Sequence, residues 1–173
     1  MNSLRTIYWI GIVLLVACTQ QAPQRPSQRK GNTPAVDSTA LALMEMNQQL
    51  TEAADELLLR MARTQEPPYA LYERGTWVRI VQTGDTQRPV RHGEECTMHM
   101  RIYSLNGTLY CDTEITAVAG KYELPAAVDE NITEWHHGAQ IQLLAPWYAA
   151  FGIKGTEYVP PYENVMIELD IKE

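Results

Sequence analysis

GAQIQLLAPWYAAFGIKGTEYVPPYENVMIELDI, residues 138–171, holds two apolar stretches with a loop between them. QIQLLAP reads as a short strand. Val165, Ile167, Leu169 and Ile171 alternate in the second stretch, and a period of two marks a strand that buries one face. Between the strands, Gly152, Gly155 and Pro160-Pro161 supply turn chemistry. The chain thus ends as strand, loop, strand, and the preceding residues decide what these strands pack on.

Residues 121–138, KYELPAAVDENITEWHHG, carry Pro125 near a helix start and Gly138 as a stop. Val128, Ile132 and Trp135 fall on one face of that helix. Residues 96–112, CTMHMRIYSLNGTLYCD, contain Asn106-Gly107, the strongest short hairpin signal, which sets residue 105 opposite 108 and 102 opposite 111. In this register Cys96 lies roughly 20 Å along the strand from the partner of Cys111, beyond the ~7 Å that a disulfide can span. Both thiols are expected to be free and buried. Arg101 faces Asp112 as an exposed pair. Residues 76–84, TWVRIVQTG, form a further strand that ends at the Gly84-Asp85 turn. Strands dominate, with one short helix before the last two, so residues 66–173 are expected to form an α+β domain: an antiparallel sheet wrapped on a short helix.

Residues 37–65 lack Gly and Pro, and Leu43, Met46, Leu50, Ala53, Leu57 and Met61 form one stripe at helical spacing. This long amphipathic helix either folds back on its own domain or pairs two copies of the chain as a homodimer. Residues 18–36 are rich in Gln, Pro and Ser and read as a flexible tether. Residues 1–17 have one cation, Arg5, and an apolar run too short to span a bilayer, the mark of a signal peptide. Leu15-Val16-Ala17-Cys18 is similar to the lipobox of bacterial lipoproteins, which implies cleavage before Cys18 and its acylation, with palmitate among the lipids. Loss of Arg5 takes the formal charge from −7 to −8. An acidic body argues against nucleic-acid binding and against charge-driven docking on anionic lipid. The expected location is a lipid anchor on the bacterial membrane, most simply the outer membrane facing the periplasm.

The quoted stretch resembles the C-terminal half of FKBP-type peptidyl-prolyl isomerases, with Gly138, Leu143, Pro146, Ala150, Gly152, Gly155, Pro160 and Pro161 in register with the family pattern. The hairpin with its lone Gly93 and Gly107 is similar to the family's earlier part, so the resemblance covers about residues 75–172. Signal, tether, helix and YERGTWVRI together look like envelope lipoprotein members of the family, including those associated with gliding motility. The resemblance implies catalysis of X-Pro rotation, a barrier of about 18–20 kcal/mol, on proline-containing or unfolded segments of exported proteins. That chemistry needs a dry apolar cleft and a few placed donors rather than a nucleophile, metal or other cofactor.

Carried over residue by residue, the site departs from the family. Phe151 replaces a tyrosine and loses its hydroxyl. Met100 stands for another pocket tyrosine, Val128 for the tryptophan of the floor, Leu124-Pro125 for a Val-Ile pair and Ile167 for an aromatic of the last strand. Tyr110 keeps its aromatic ring. An ungapped count puts Cys111 at the position of the pocket aspartate, and a bulge would return Asp112 to it. Tyr158 and Val159 precede the prolines. The resemblance therefore implies Tyr110, Asp112 and Phe151 as catalytic residues, with Met100, Cys111, Leu124, Pro125, Val128, Tyr158, Val159 and Ile167 around the substrate. A non-catalytic binding or assembly module is the alternative, since fold alone does not give function. His136-His137 is not expected to hold a metal, because adjacent histidines seldom chelate one ion.

Overall fold

The alternation in residues 165–171 builds the centre of the molecule. The computed structural model describes residues 38–173; the predicted signal segment, tether and Cys18 lie outside the described residues. In chain order the elements are α1 (Ser38–Thr64), β1 (Ala70–Leu71), β2 (Trp77–Gln82), β3 (Glu95–Ser104), β4 (Leu109–Val118), α2 (Ala126–Asp129), β5 (Gln140–Ala145) and β6 (Val165–Ile171). All strand pairs are antiparallel, in the order β1-β2-β5-β6-β3-β4. Val165, Ile167, Leu169 and Ile171 face inward and are buried, while Met166, Glu168 and Asp170 face the other way.

The inner face of the sheet, α2 and residues 145–159 share one core, which includes Val78, Met98, Ile102, Ile132, Trp135, Ile141 and Leu143. The helix at residues 121–138 is shorter than the spacing predicts. Only Ala126–Asp129 is α-helical, and a 3-10 turn at Ile132–Glu134 follows. Val128, Ile132 and Trp135 are nonetheless buried together, because burial rather than helix length holds them.

The β3–β4 hairpin pairs Ile102 with Cys111 and Arg101 with Asp112, as the turn signal predicts. At the tip the structure differs. Ser104 N–H donates to Thr108 O at 2.8 Å and Tyr103 pairs with Leu109, so the loop has three residues, ending at Gly107 with φ 87°. Tyr110 is then the extra residue of a bulge that restores the register. Cys96 pairs with Ala117 and both thiols are free; Cys96 is buried and Cys111 is half-buried.

Only the second half of α1 folds back on the sheet. Ala54, Leu58 and Ala62 are its buried residues, and Leu58 and Ala62 join Tyr69 and Leu144 in a second small core on the outer face. The buried stripe thus lies one position beyond Ala53 and Leu57 of the expected one. Leu43, Met46 and Leu50 are 52%, 43% and 37% exposed, because the sheet reaches only the C-terminal turns. No described helix is long and apolar enough to cross a membrane.

Candidate functional site

The floor of the candidate cleft is set by α2. Pro125 opens this helix in an extended conformation, and the proline has no N–H to offer. Ala127 N–H donates to Ala149 O at 2.8 Å, which ties the helix to the segment leaving β5. Asp129 is buried, but its carboxylate accepts from the N–H groups of Gly120 (3.2 Å) and Tyr122 (3.1 Å). Those bonds offset its desolvation and fix the loop entering the helix. Val128 is thereby held in the core with Val159 and Ile167.

The long loop before β6 contributes Val159 to the same core. Gly155 sits at φ 64°, where an added Cβ would come within 2.3 Å of Val159 O. Thr156 N–H donates to Val159 O at 2.8 Å. The Thr156 hydroxyl accepts from Tyr158 N–H at 3.2 Å and Val159 N–H at 3.0 Å. This tight turn sends Val159 inward and leaves Tyr158 59% exposed. Tyr162 N–H closes the loop onto Gly152 O at 3.1 Å.

Tyr110, Cys111 and Phe151 are partly buried against this core, whereas Met100 and Leu124 are inside it, at 6% and 5% exposure. The Tyr110 hydroxyl donates to Glu163 Oε1 at 3.1 Å. Burial first, then this carboxylate, raises its pKa above the ordinary tyrosine value. Tyr148, three residues before Phe151, donates to Asp55 of α1 at 2.5 Å. Burial and then that bond raise its pKa too.

Of the residues carried over from the resemblance, Val128, Val159 and Ile167 are fully buried in one core with Met100 and Leu124, and Tyr110, Cys111 and Phe151 are the partly exposed side chains packed against it. Asp112 is placed elsewhere. The bulge falls at Tyr110, before Cys111, so Cys111 faces inward opposite Ile102 and Asp112 faces outward. There Asp112 Oδ1 lies 2.5 Å from His99 Nε2. Arg101 turns instead to Glu168 (3.4 Å) and Asp170 (3.1 Å). The sequence alone does not single out Glu163, Asp129 or Thr156, whose hydrogen bonds hold Tyr110, the loop entering α2 and the turn at Val159. Thr156 after Gly155 is a readable turn signal, whereas nothing local marks Glu163 as the partner of Tyr110.

No family model and no curated relative matches the chain. Among solved structures it is similar to the 1.6 Å crystal structure of a peptidyl-prolyl cis-trans isomerase from Pseudomonas syringae pv. tomato str. DC3000. The TM-score is 0.60 at 14% sequence identity, over 71% of this chain and 94% of that one. With the element order above, the likeness establishes an FKBP-like α+β fold preceded by one long helix.

Proposed function

We propose that this protein is a lipid-anchored, FKBP-type peptidyl-prolyl folding factor of the bacterial envelope that captures proline-containing or unfolded segments of exported proteins and isomerises them weakly. The observation that carries this reading is the partly exposed apolar patch of Tyr110, Cys111 and Phe151, packed on the buried core that holds Val128, Val159 and Ile167. A proline ring seated there leaves water, and the loss of solvation favours the twisted amide, whose nitrogen carries less conjugation. Polar assistance is sparse. Asp112 faces away, Pro125 lacks an N–H, Phe151 lacks a hydroxyl, and the Tyr110 hydroxyl is engaged by Glu163. Since one lost transition-state donor costs about 2.7–4 kcal/mol where it acts in full, capture should outlast catalysis.

The outward Asp112 favours a second reading, an FKBP-like binding or assembly module with no isomerase activity. One experiment separates them: X-Pro peptide isomerisation by the purified chain, across several residues before proline, with binding of the same peptides followed by intrinsic fluorescence. Acceleration lost on Phe151→Ala supports the first reading. Binding without acceleration supports the second, and the absence of both would overturn the cleft as a site. The anchor is proposed at Cys18, testable by metabolic labelling with a palmitate analogue in wild type and Cys18→Ser. A second copy is proposed as the partner of the exposed half of α1, where Leu43, Met46 and Leu50 keep the three-four spacing of a coiled-coil seam.

A further inference from the structure

At the end of the sheet away from the hairpin tip, three donor side chains from separate segments converge. Glu94 precedes β3, Cys96 is its second residue, and His137 lies in the loop before β5. One donor atom from each lies within 4.8 Å of the others. Cys96 and His137 are buried, and Glu94 is at the surface edge.

The backbone around His137 is fixed from both sides. His137 N–H donates to Arg88 O at 3.0 Å, and its carbonyl accepts from Asp85 N–H at 2.8 Å. Its Nδ1 is 3.1 Å from Lys172 O. A carbonyl only accepts, so Nδ1 must carry the hydrogen, and in the neutral ring Nε2 is then a bare lone pair. That lone pair faces Glu94 Oε1 at 3.1 Å. Two acceptors at this distance share either a proton or a metal ion. A proton on the ring would satisfy the pair and leave the Cys96 thiol with its long contact to the Glu94 main-chain oxygen at 3.9 Å. A divalent metal uses all three donors.

We propose that Glu94, Cys96 and His137 form a zinc site. One thiolate, one imidazole and one carboxylate suit the borderline character of Zn²⁺. The hydrogen bond from Nδ1 to a main-chain carbonyl is the second-layer support that metal-binding histidines usually have. Glu94 is also oriented, since its Oε2 accepts from Arg91 N–H at 2.8 Å and leaves Oε1 toward the histidine. A surface cavity of about 470 Å³, lined by Arg88, Arg91, Glu94 and His137 among others, gives the ion an entry path and room for water as a fourth ligand. Bond lengths near 2.0–2.3 Å demand donor separations of roughly 3.3–3.7 Å in a tetrahedral site, so binding needs a modest contraction about the sulfur. The site lies outside the peptide cleft, and its existence does not depend on the function proposed above.

Cobalt(II) titration of the purified chain tests the proposal, with cobalt reporting on the zinc site. Expected is one equivalent bound tighter than about 1 µM, a thiolate-to-cobalt charge-transfer band, and its displacement by zinc. Cys96→Ser should remove the band and Glu94→Gln should weaken binding about tenfold or more, while Cys111→Ser changes neither. Absence of the band in the wild-type chain, or its survival in Cys96→Ser, would overturn the site. Because the wild-type spectrum and Glu94→Gln do not depend on Cys96→Ser folding, a misfolded variant leaves the test intact.

Discussion

Asp112 Oδ1 and His99 Nε2 meet at 2.5 Å on the outer face of the sheet, across the sheet from Val128 and Phe151. The pair belongs to a polar surface in which Arg101 bridges Glu168 and Asp170, and Gln142 Nε2 donates to Glu168 at 2.8 Å. Both side chains are partly exposed, so the contact is worth under about 1 kcal/mol. Asp112→Ala should therefore change peptide affinity and isomerisation by no more than about twofold, since substitutions at such surface sites stay within about 0.5 kcal/mol. A larger loss of isomerisation, with urea unfolding unchanged, would return Asp112 to the cleft.

Phe151→Ala removes an accessible wall while leaving the buried floor in place. Truncating an aromatic anchor at a binding surface costs more than about 1 kcal/mol, so peptide affinity should fall about fivefold or more in a fluorescence titration. An unchanged affinity would place the peptide elsewhere on the domain.

Gly155 is where the loop has least freedom. At φ 64° a side chain is strained, and the Cβ of alanine would meet Val159 O at 2.3 Å and Pro160 C at 2.7 Å. Gly155→Ala should cost at least about 1–2 kcal/mol and release Val159 from the floor. Urea unfolding reads the first effect and peptide titration the second; a variant with wild-type values in both would contradict this account of the loop.

Tyr69, Tyr110 and Tyr148 have pKa values raised above the ordinary 10.0, each chiefly by burial, with Glu163 and Asp55 adding to the last two. The neutral phenol is thus favoured in the folded chain. Their contribution to stability is complete below the unfolded value of 10.0 and is lost as pH rises through the higher folded values. Thermal melts should show a midpoint that falls with alkalinity above about pH 10, and absorbance titration should show some phenols ionising late. A full complement titrating at the ordinary value would exclude these burials.

The residues that alternate or repeat in the sequence were the ones that disclosed the fold. Val165 to Ile171 needed only their period of two to become the central strand, and Asn106-Gly107 located the hairpin. The side on which Asp112 lies was not readable, because it depends on whether the extra residue falls before Cys111 or after it. Ser104–Thr108 pairing and Gly107 at positive φ place it before, at Tyr110. The Glu94, Cys96 and His137 cluster was equally hidden, since 40 or more residues separate the histidine from the other two. His136 and His137 are adjacent in sequence, yet the main chain separates their roles: His137 turns inward, whereas His136 bridges to Pro89.

Helix α1 carries one apolar stripe in sequence, but it divides into two halves with different fates. Leu58 is fully buried against Ala62, Tyr69 and Leu144, so Leu58→Ala should cost about 2–5 kcal/mol. Leu41, Leu43, Met44, Met46 and Leu50 are exposed on the first half, and truncating them removes no contact within the sheet. Changing Leu43, Met46 and Leu50 together to Gln should leave the urea midpoint of the monomer unchanged, read at concentrations low enough that no dimer is populated. If these positions carry the proposed seam, the same variant converts a dimer to a monomer in light scattering at micromolar concentration. A wild-type chain that is monomeric under those conditions would rule out pairing through this helix.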